Sequence, residues 1–512
     1  MKLFKAMATV AGLTGLSRIL GFVRDILTAA ILGAGPIADA FFVALKLPNF
    51  FRRVTAEGAF SVAFVPLYSE SLEKKGGDEA SLFASNAFAV MMSFLVPFTL
   101  LAILAMPAII YAIAPGFHDE PLRYDTAVEL SRITFPYLLL MSLTALMGGV
   151  LNSHDKFAPF ASAPIFFNLC LIIALLIFTK FTETAGHAMA WGVFAAGVTQ
   201  FLWLLYFVKK QGIKLRLKKP EFTGNIKKLF KLMGPGVIGA GVMHINLFVD
   251  LILASTLASG SISYLYYADR LNQLPLGMVG IAVGTALLPM LSRSISAGDK
   301  AQTQNLFNRS LEICLLLALP AAVALFVIPE TLMGALFERG EFTAEDTATA
   351  SKVLMGYAIG LPAYIAVKVF STAYWSSQDT MSPVKISVMT TVINIVLSIT
   401  LIQFIGVVGI ALATGLVGWF QLALLYHGLR KQENFKFDAR FKRVVFKIIF
   451  SALLMGAILL VMDKYIDVLD SKILTLAALV ALGLMSYGLS IITTKAITID
   501  ELKRYLPKNK KA

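Results

Sequence analysis

Apolar residues in this chain come in runs long enough to be membrane helices, and polar residues gather in the short segments between them. A helix that crosses the hydrocarbon core needs about 20 mostly apolar residues. Fourteen runs meet that length, at roughly 5–33, 37–67, 83–113, 126–151, 159–179, 188–208, 229–256, 263–290, 304–328, 346–374, 384–403, 407–428, 444–462 and 473–494. The segments between them carry Gly, Pro, Asp or Ser and leave no room for a soluble domain. Composition agrees: 57% of the 512 residues are hydrophobic, 15% are charged, and mean hydropathy is +0.76. Soluble domains hold about 45–50% apolar and about 25% charged residues. A single water-soluble globule is therefore excluded, as are disorder, collagen and coiled coil. The predicted fold class is an all-α polytopic membrane protein with about fourteen transmembrane helices.

The net charge of +14 raises the question of nucleic acid, and the placement of the basic residues answers it. With fourteen spans both termini lie on one side. That side carries most of the loop Lys and Arg, chiefly in 209–228, in 429–443 and after Thr494. The opposite loops hold only Arg123, Lys180, Arg339, Lys464 and Lys472. Lys and Arg are retained on the cytoplasmic side, so both termini and the basic loops are expected to be cytoplasmic and nucleic acid is not an expected partner. No cleavable signal peptide is expected, because Arg18 and Arg24 interrupt the first apolar stretch and no small-residue cleavage site follows. Cys170 and Cys314 both sit in apolar runs and read as small core residues.

The chain also repeats itself. DILTAAILGAGPI (25–37) matches DLILASTLASGSI (250–262), and AFVPLYSES (63–71) resembles ALLPMLSRS (286–294). Pro97 and Pro107 correspond to Pro320 and Pro329, and the loop DKFAP (155–159) to DTMSP (379–383). Six helices per copy, an even number, give both copies the same orientation. Two parallel lobes are expected, about 1–210 and 227–430, related by an axis along the membrane normal with a cavity between them. The two helices within 444–494 form an appendage, and 495–512 a basic cytoplasmic tail.

Charges within the apolar runs are the main functional signal. An Arg, Lys or Asp near the bilayer centre costs about 2.5–3.5 kcal/mol on insertion scales, so such groups face protein or water. The first two spans hold Arg18, Arg24, Asp25, Asp39, Lys46, Arg52, Arg53 and Glu57, whereas the matching part of the second lobe keeps only Asp250, Asp269 and Arg270. Arg18 and Asp25 lie about two turns apart and share a helix face, which places Asp25 to orient or neutralise Arg18, with Arg24 about 120° away. Pro48 and Gly58 should bend or loosen the second span near Arg52 and Arg53. Arg18, Arg24, Arg52, Arg53 and Arg270 outnumber Asp25, Asp39, Glu57 and Asp269 by one before Lys46 is counted, and a guanidinium binds phosphate through two parallel hydrogen bonds. A water-accessible cavity of this kind points to an anionic, phosphorylated substrate.

Enzymatic constellations are absent. The five histidines are scattered without zinc spacing, GAGPIA (33–38) reads as a turn between helices, and no P-loop occurs. With no ATPase motif, energy must come from a gradient, the membrane potential or a partner. Asp250 is a candidate cation ligand, with Asn394 and Thr414 as oxygen donors.

Three stretches resemble a known family: SRILGFVRD (17–25), ADAFFVALKLPNFFRRVTAEGAFSVAFVPLYSE (38–70) and YYADRL (266–271) are similar to the MurJ (MviN) family of lipid II flippases, in the multidrug/oligosaccharidyl-lipid/polysaccharide exporter superfamily. The similarity runs over essentially the whole chain. It implies transport of the undecaprenyl-pyrophosphate-linked peptidoglycan precursor across the bacterial inner membrane by alternating access, with membrane lipids and cell-wall synthesis proteins as partners and no enzymatic activity. It also implies that Arg18, Arg24, Asp39, Arg52 and Arg270 are essential cavity residues, with Asp25 and Glu57 nearby. The last two helices would form a groove for the lipid tail. Sodium binding is associated with some members, and here Ser398 stands near where a second carboxylate would assist Asp250. A drug or cation antiporter of the same superfamily predicts an acidic cavity, and a non-transporting scaffold leaves the buried charges without a role.

The orientation is testable by cysteine labelling in intact cells. A cysteine in loop 115–124 should react with an impermeant reagent from the periplasm, and one in loop 209–228 should be protected. The reverse pattern would invert the topology.

Overall fold

Backbone N–H and C=O groups in hydrocarbon find no water, so a spanning chain must pair them internally, and helices do this within one segment. A computed structural model of the chain describes residues 2–52, 60–216, 218–430, 435–465 and 471–496, apart from the side chains of 2–7, 235–245, 247 and 278–286. The described residues are helical throughout, with turns and short coils between and no strand. The first nine helices are α1 (Lys2–Leu32), α2 (Pro36–Phe51), α3 (Ser61–Lys75), α4 (Gly77–Leu104), α5 (Met106–Ile113), α6 (Pro121–Thr134), α7 (Tyr137–Ser153), α8 (Ala158–Ile177) and α9 (Ala185–Lys210). The remaining nine are α10 (Gly224–Ser255), α11 (Ser261–Ser296), α12 (Lys300–Val327), α13 (Pro329–Phe337), α14 (Ala344–Ser376), α15 (Met381–Ile405), α16 (Val407–Arg430), α17 (Ala439–Asp463) and α18 (Lys472–Thr493).

Among the described residues ten helical stretches are long and apolar enough to cross a membrane. The other four expected spans, 5–33, 37–67, 229–256 and 263–290, are helical wherever they are described, and each includes residues or side chains outside the described set. Fourteen spans are compatible with this arrangement. In 37–67, α2 and α3 lie on either side of residues outside the described set. Two of the other spans are not single helices: 83–113 breaks at Ala105, and 126–151 breaks at Phe135 and Pro136. The last two breaks sit beside prolines: Pro107 opens α5, and Pro136 caps α7. Proline lacks the N–H that an uninterrupted helix would use.

The sequence repeat has structural counterparts. The α4–α5 break ahead of Pro107 is matched by the α12–α13 break ahead of Pro329. The turn after α7 places Asp155 at φ 59°, and the turn after α14 places Gln378 at φ 62°. Each is closed by the same bond, Lys156 N to Leu151 O at 2.9 Å and Asp379 N to Tyr374 O at 3.0 Å. This is the left-handed helix stop that satisfies otherwise orphaned carbonyls.

The chain packs as two compact units, Met1–Ser263 with Arg339–Phe342, and Tyr264–Glu338 with Thr343–Ala512. By packing, α10 belongs with the first unit, whereas the repeat assigns it to the second copy. In the first unit Phe60, Phe64, Tyr68 and Phe83 form a stacked aromatic core with Leu146, Met147 and Val150. The segment Arg339–Phe342 docks on the end of α1 through Glu341 N and Ala30 O at 2.9 Å. Gly340 permits that approach, since a Cβ there would lie 2.0 Å from Ala30 O and its φ is +60°.

In the second unit α14 and α16 meet through glycines. A Cβ on Gly415 would lie 2.6 Å from Gly356 O, and one on Gly418 2.5 Å from the Tyr364 ring. Small residues let helix backbones close in where no hydrophobic effect drives them together. The appended helices dock within the same unit: Tyr487 on α18 donates to Leu316 O at 2.7 Å, and Ser490 to Ser451 on α17 at 2.8 Å. Arg309 pairs with both Glu312 and Asp438, which anchors the start of α17 to α12.

Candidate functional site

Arg24 and Asp25, on α1, are 8% and 3% exposed. The Arg24 guanidinium donates twice to Asp25 Oδ1, from Nη2 at 2.6 Å and Nε at 3.2 Å. Its Nη1 donates to Asn168 Oδ1 on α8 at 2.9 Å. Asn168 is itself held, because its Nδ2 donates to Ser17 O at 2.8 Å and so turns the amide oxygen toward Arg24. The guanidinium also lies 5.6 Å from the Phe167 ring centroid. A buried cation is tolerated when its charge is matched and its donors are used, and Asp25 and Asn168 meet both needs.

Asp25 therefore pairs with Arg24, its chain neighbour, and not with Arg18 as face geometry suggested. A long guanidinium folds back along its own helix more readily than two charges bridge two turns. Arg18 is exposed and makes no hydrogen bond or ion pair among the described residues. Lys46 is half-buried on α2. Arg52 caps the end of α2, and its Nε donates to Asn49 Oδ1 at 3.2 Å. Arg53 and Glu57 lie outside the described residues.

Arg52, Asn49, Asn152, Asn168 and Gln200 line one cavity of about 430 Å³ inside the first unit, walled by rings of α7 and α8. Among the described residues its lining holds one cation, Arg52, and no carboxylate. Asn168 belongs both to this lining and to the Arg24 cluster, so the two basic centres share a residue.

In the second unit Arg270 on α11 donates from Nη2 to the Tyr266 hydroxyl at 2.9 Å and stacks 4.5 Å from that ring's centroid. Asp269 accepts from Gln273 Nε2 one turn along. Asn394 Nδ2 on α15 donates to Thr414 Oγ1 on α16 at 3.2 Å. Asn394 Oδ1 and Ser398 Oγ are buried and have no hydrogen-bond partner among the described residues. Asp250 lies on α10, in the first unit by packing, whereas Asn394 and Thr414 lie in the second.

Asp39 departs most from expectation. It is 0% exposed, and both carboxylate oxygens are fully used. Oδ2 accepts from Arg123 Nη2 at 2.7 Å and Gly260 N at 2.8 Å, and Oδ1 from Ser263 N at 2.8 Å and Ser263 Oγ at 2.6 Å. With all four bonds made within the protein, in this structure Asp39 ties α2 to α6 and to the start of α11. Arg123, read from the sequence as a loop charge, is 0% exposed, lies 4.1 Å from the Phe117 ring centroid and also donates to Leu257 O at 3.2 Å. One sequence signal was available: an arginine in the first turn of a helix opposes the macrodipole, which suggests that something else holds it.

Tertiary packing also gathers Glu129, Glu183 and His187, whose ligand atoms all lie within 4.8 Å of one another. That cluster is largely exposed, and exposed acidic groups commonly gather without an ion.

Apolar helices of spanning length around a charged internal cavity define a polytopic membrane transporter. The family model described as lipid II flippase MurJ matches residues 28–479, and the chain belongs to that family. A probable lipid II flippase MurJ of Rhizobium tropici is 40% identical over 490 residues, covering 95% of this chain and 92% of that protein. One from Vibrio cholerae is 35% identical over 514 residues, with 98% of each covered. A solved lipid II flippase MurJ in an inward closed conformation superimposes with a TM-score of 0.79 at 28% identity, covering 94% of this chain and 97% of that one. A multidrug resistance MATE family transporter in an inward-facing conformation shares the fold at a TM-score of 0.68 and 13% identity, covering 83% of this chain and 98% of that one.

Removing one partner of a buried ion pair costs about 3–5 kcal/mol, because the other charge is left uncompensated. Asp39→Asn and Arg123→Ala should each markedly lower the thermal unfolding midpoint in detergent. The double variant Asp39→Asn, Arg123→Met should lose less than the sum of the two single changes. Additive losses would show that the pair is not coupled.

Proposed function

We propose that the protein flips lipid II, the undecaprenyl-pyrophosphate-linked peptidoglycan precursor, from the cytoplasmic to the periplasmic leaflet by alternating access. It does so as a multi-pass protein of the bacterial cytoplasmic membrane with both termini in the cytoplasm. Family membership supports the class of substrate. The observation that carries the reading to residues is the buried Arg24 guanidinium, oriented by Asp25 and Asn168 beside a cavity that presents Arg52. Arg52 brings a guanidinium to that lining, and a planar fork suits the oxygens of a pyrophosphate. Arg18 and Arg270 are proposed to contribute to the same recognition, and Lys46, Arg53, Asp269 and Glu57 to tune the charge around it. The likeness to multidrug exporters is one of fold alone, and the lining of this cavity favours an anionic cargo over the cationic cargo that an antiporter of acidic cavity would take.

Replacing Arg18, Arg52 or Arg270 with Ala should leave membrane accumulation intact, since removing a charge from a span lowers insertion cost. Arg24→Ala also strands the buried Asp25 carboxylate and should lower stability as well, so accumulation is measured beside function. Complementation of a strain depleted of its flippase should nevertheless fail. Charge-assisted hydrogen bonds are worth about 1.5–3 kcal/mol each, so the loss of one slows transport by more than about tenfold. For Arg24 even Lys should fail, because an ammonium cannot reproduce the fork. Normal growth with all four Ala variants would remove these residues from the substrate site.

Turnover is proposed to be coupled to a cation, with Asp250 of the first unit, and Asn394 and Thr414 of the second, as the candidate oxygen donors. Asn394 Oδ1 and Ser398 Oγ, which have no hydrogen-bond partner among the described residues, fit a small hard cation, which prefers oxygen ligands. A cation biases a conformational equilibrium only by its difference in affinity for the two states. Asp250→Asn should abolish sodium dependence of flipping in proteoliposomes while the protein still folds. Wild-type flipping that is indifferent to sodium and protons would make these residues structural.

A further inference from the structure

Two glycines meet at the end of α1. Gly33 follows the helix at φ +64°, and its N–H closes the last turn on Ala29 O at 2.9 Å. The next carbonyl, Ala30 O, accepts from Glu341 N at 2.9 Å. A helix-end carbonyl without a partner in its own helix is thus met by a distant stretch of chain. On that stretch Gly340 stands at φ +60°, in a turn that Phe342 N closes on Arg339 O at 3.2 Å. The fit is reciprocal: a Cβ on Gly340 would lie 2.0 Å from Ala30 O, and one on Gly33 would lie 2.5 Å from Glu341 O. Backbone lies against backbone on both sides, so no flexible side chain can yield to make room.

Arg339–Phe342 packs with the first unit, whereas the residues before and after it pack with the second. Both flanks are tied there. Glu338 pairs with Lys472 at the start of α18. Thr343 caps α14 in a reciprocal pair with Asp346, whose Oδ1 also accepts from the Tyr264 hydroxyl at 2.7 Å. A tip this short has little slack, because extended chain spans at most about 3.3–3.6 Å per residue. It therefore follows its flanks. Gly340 and Glu341 are exposed, so water can replace the bond to Ala30 once the two backbones part. Asp39, sealed and with its four bonds made within the protein, is a tie of the opposite kind.

We propose that Gly33 and Gly340 form a releasable clasp. Seated, it holds the end of α1 that is expected on the periplasmic side; released, it lets that end move as the transporter opens outward. The proposal rests on the alternating-access reading and deepens it, because it names a contact that has to break once in each cycle. Close backbone fit makes the contact either seated or parted, as a two-state element requires.

The test uses the full-length protein with Cys170→Ser and Cys314→Ser. With Ala30→Cys and Glu341→Cys added, mild oxidation should join the two segments. The joined protein should stop flipping lipid II in proteoliposomes, and a thiol reductant should restore it. Adding Gly340→Ala or Gly33→Ala should slow the joining by about fivefold or more, the scale of one lost hydrogen bond. Gly35→Ala should not, since a Cβ there meets nothing within 4 Å. Thr28, on α1 and 1% exposed, gives a readout independent of transport. A single Thr28→Cys should react with an impermeant maleimide about fivefold or more faster once Gly340→Ala is present. Failure of the pair to join overturns the clasp, as does a joined protein that flips at the normal rate. Equal joining or equal labelling with and without Gly340→Ala overturns it too. If neither glycine variant accumulates, the joined protein decides. Wild type that flips no lipid II sinks the flippase reading, and the Thr28 labelling then decides the clasp by itself.

Discussion

Charge placed inside a membrane protein must be met by the protein, and the arrangement around Asp39 shows how far that requirement shapes the fold. One carboxylate takes four donors, from Arg123, Gly260 and the backbone and hydroxyl of Ser263. These donors come from two separate stretches of chain, so that with Asp39 itself three are joined. With water excluded, losing one would leave a buried charge underbonded, so the segments are held together. The Arg24 cluster follows the same rule at smaller scale, with Asp25 supplying charge and Asn168 supplying the directional acceptor.

The two clusters differ in what they leave over. Asp39 is saturated and sealed, which suits a structural tie. Arg24 sits against a cavity whose lining includes the Arg52 guanidinium, and among the described residues two amide oxygens of the lining residues make no hydrogen bond. A transporter needs such incomplete satisfaction somewhere, because binding energy comes only from groups that the fold has not already used. The apolar helices provide the contrast: where α14 and α16 meet, glycines bring the backbones together without polar side chains at those positions.

Of the residues singled out by charge alone, Arg24, Asp25 and Arg52 come together at one site in the first unit. Arg18 stays on an exposed face of α1, and Arg270 belongs to the second unit with Tyr266 as its partner. Asn168 and Gln200 drew no attention in the sequence. Each is an uncharged amide in a long apolar run, and such a residue reads equally well as ordinary helix-packing polarity.

The sequence by itself determined the all-helical membrane class, the approximate spans, the internal repeat and the unusual charge of the first two helices. Each of these is a local or periodic property: about 20 apolar residues make a span whatever surrounds them, and a misplaced charge is visible one residue at a time. Tertiary structure decided the pairings. Asp39 finds Arg123 across 84 residues and Arg24 finds Asn168 across 144. Nothing in helical periodicity ranks those partners above nearer ones, since any side chain on a facing helix can serve. Only packing determines which helix faces which. That choice turned Asp39 into a tie and set Asn168, the partner of Arg24, into the wall of a cavity.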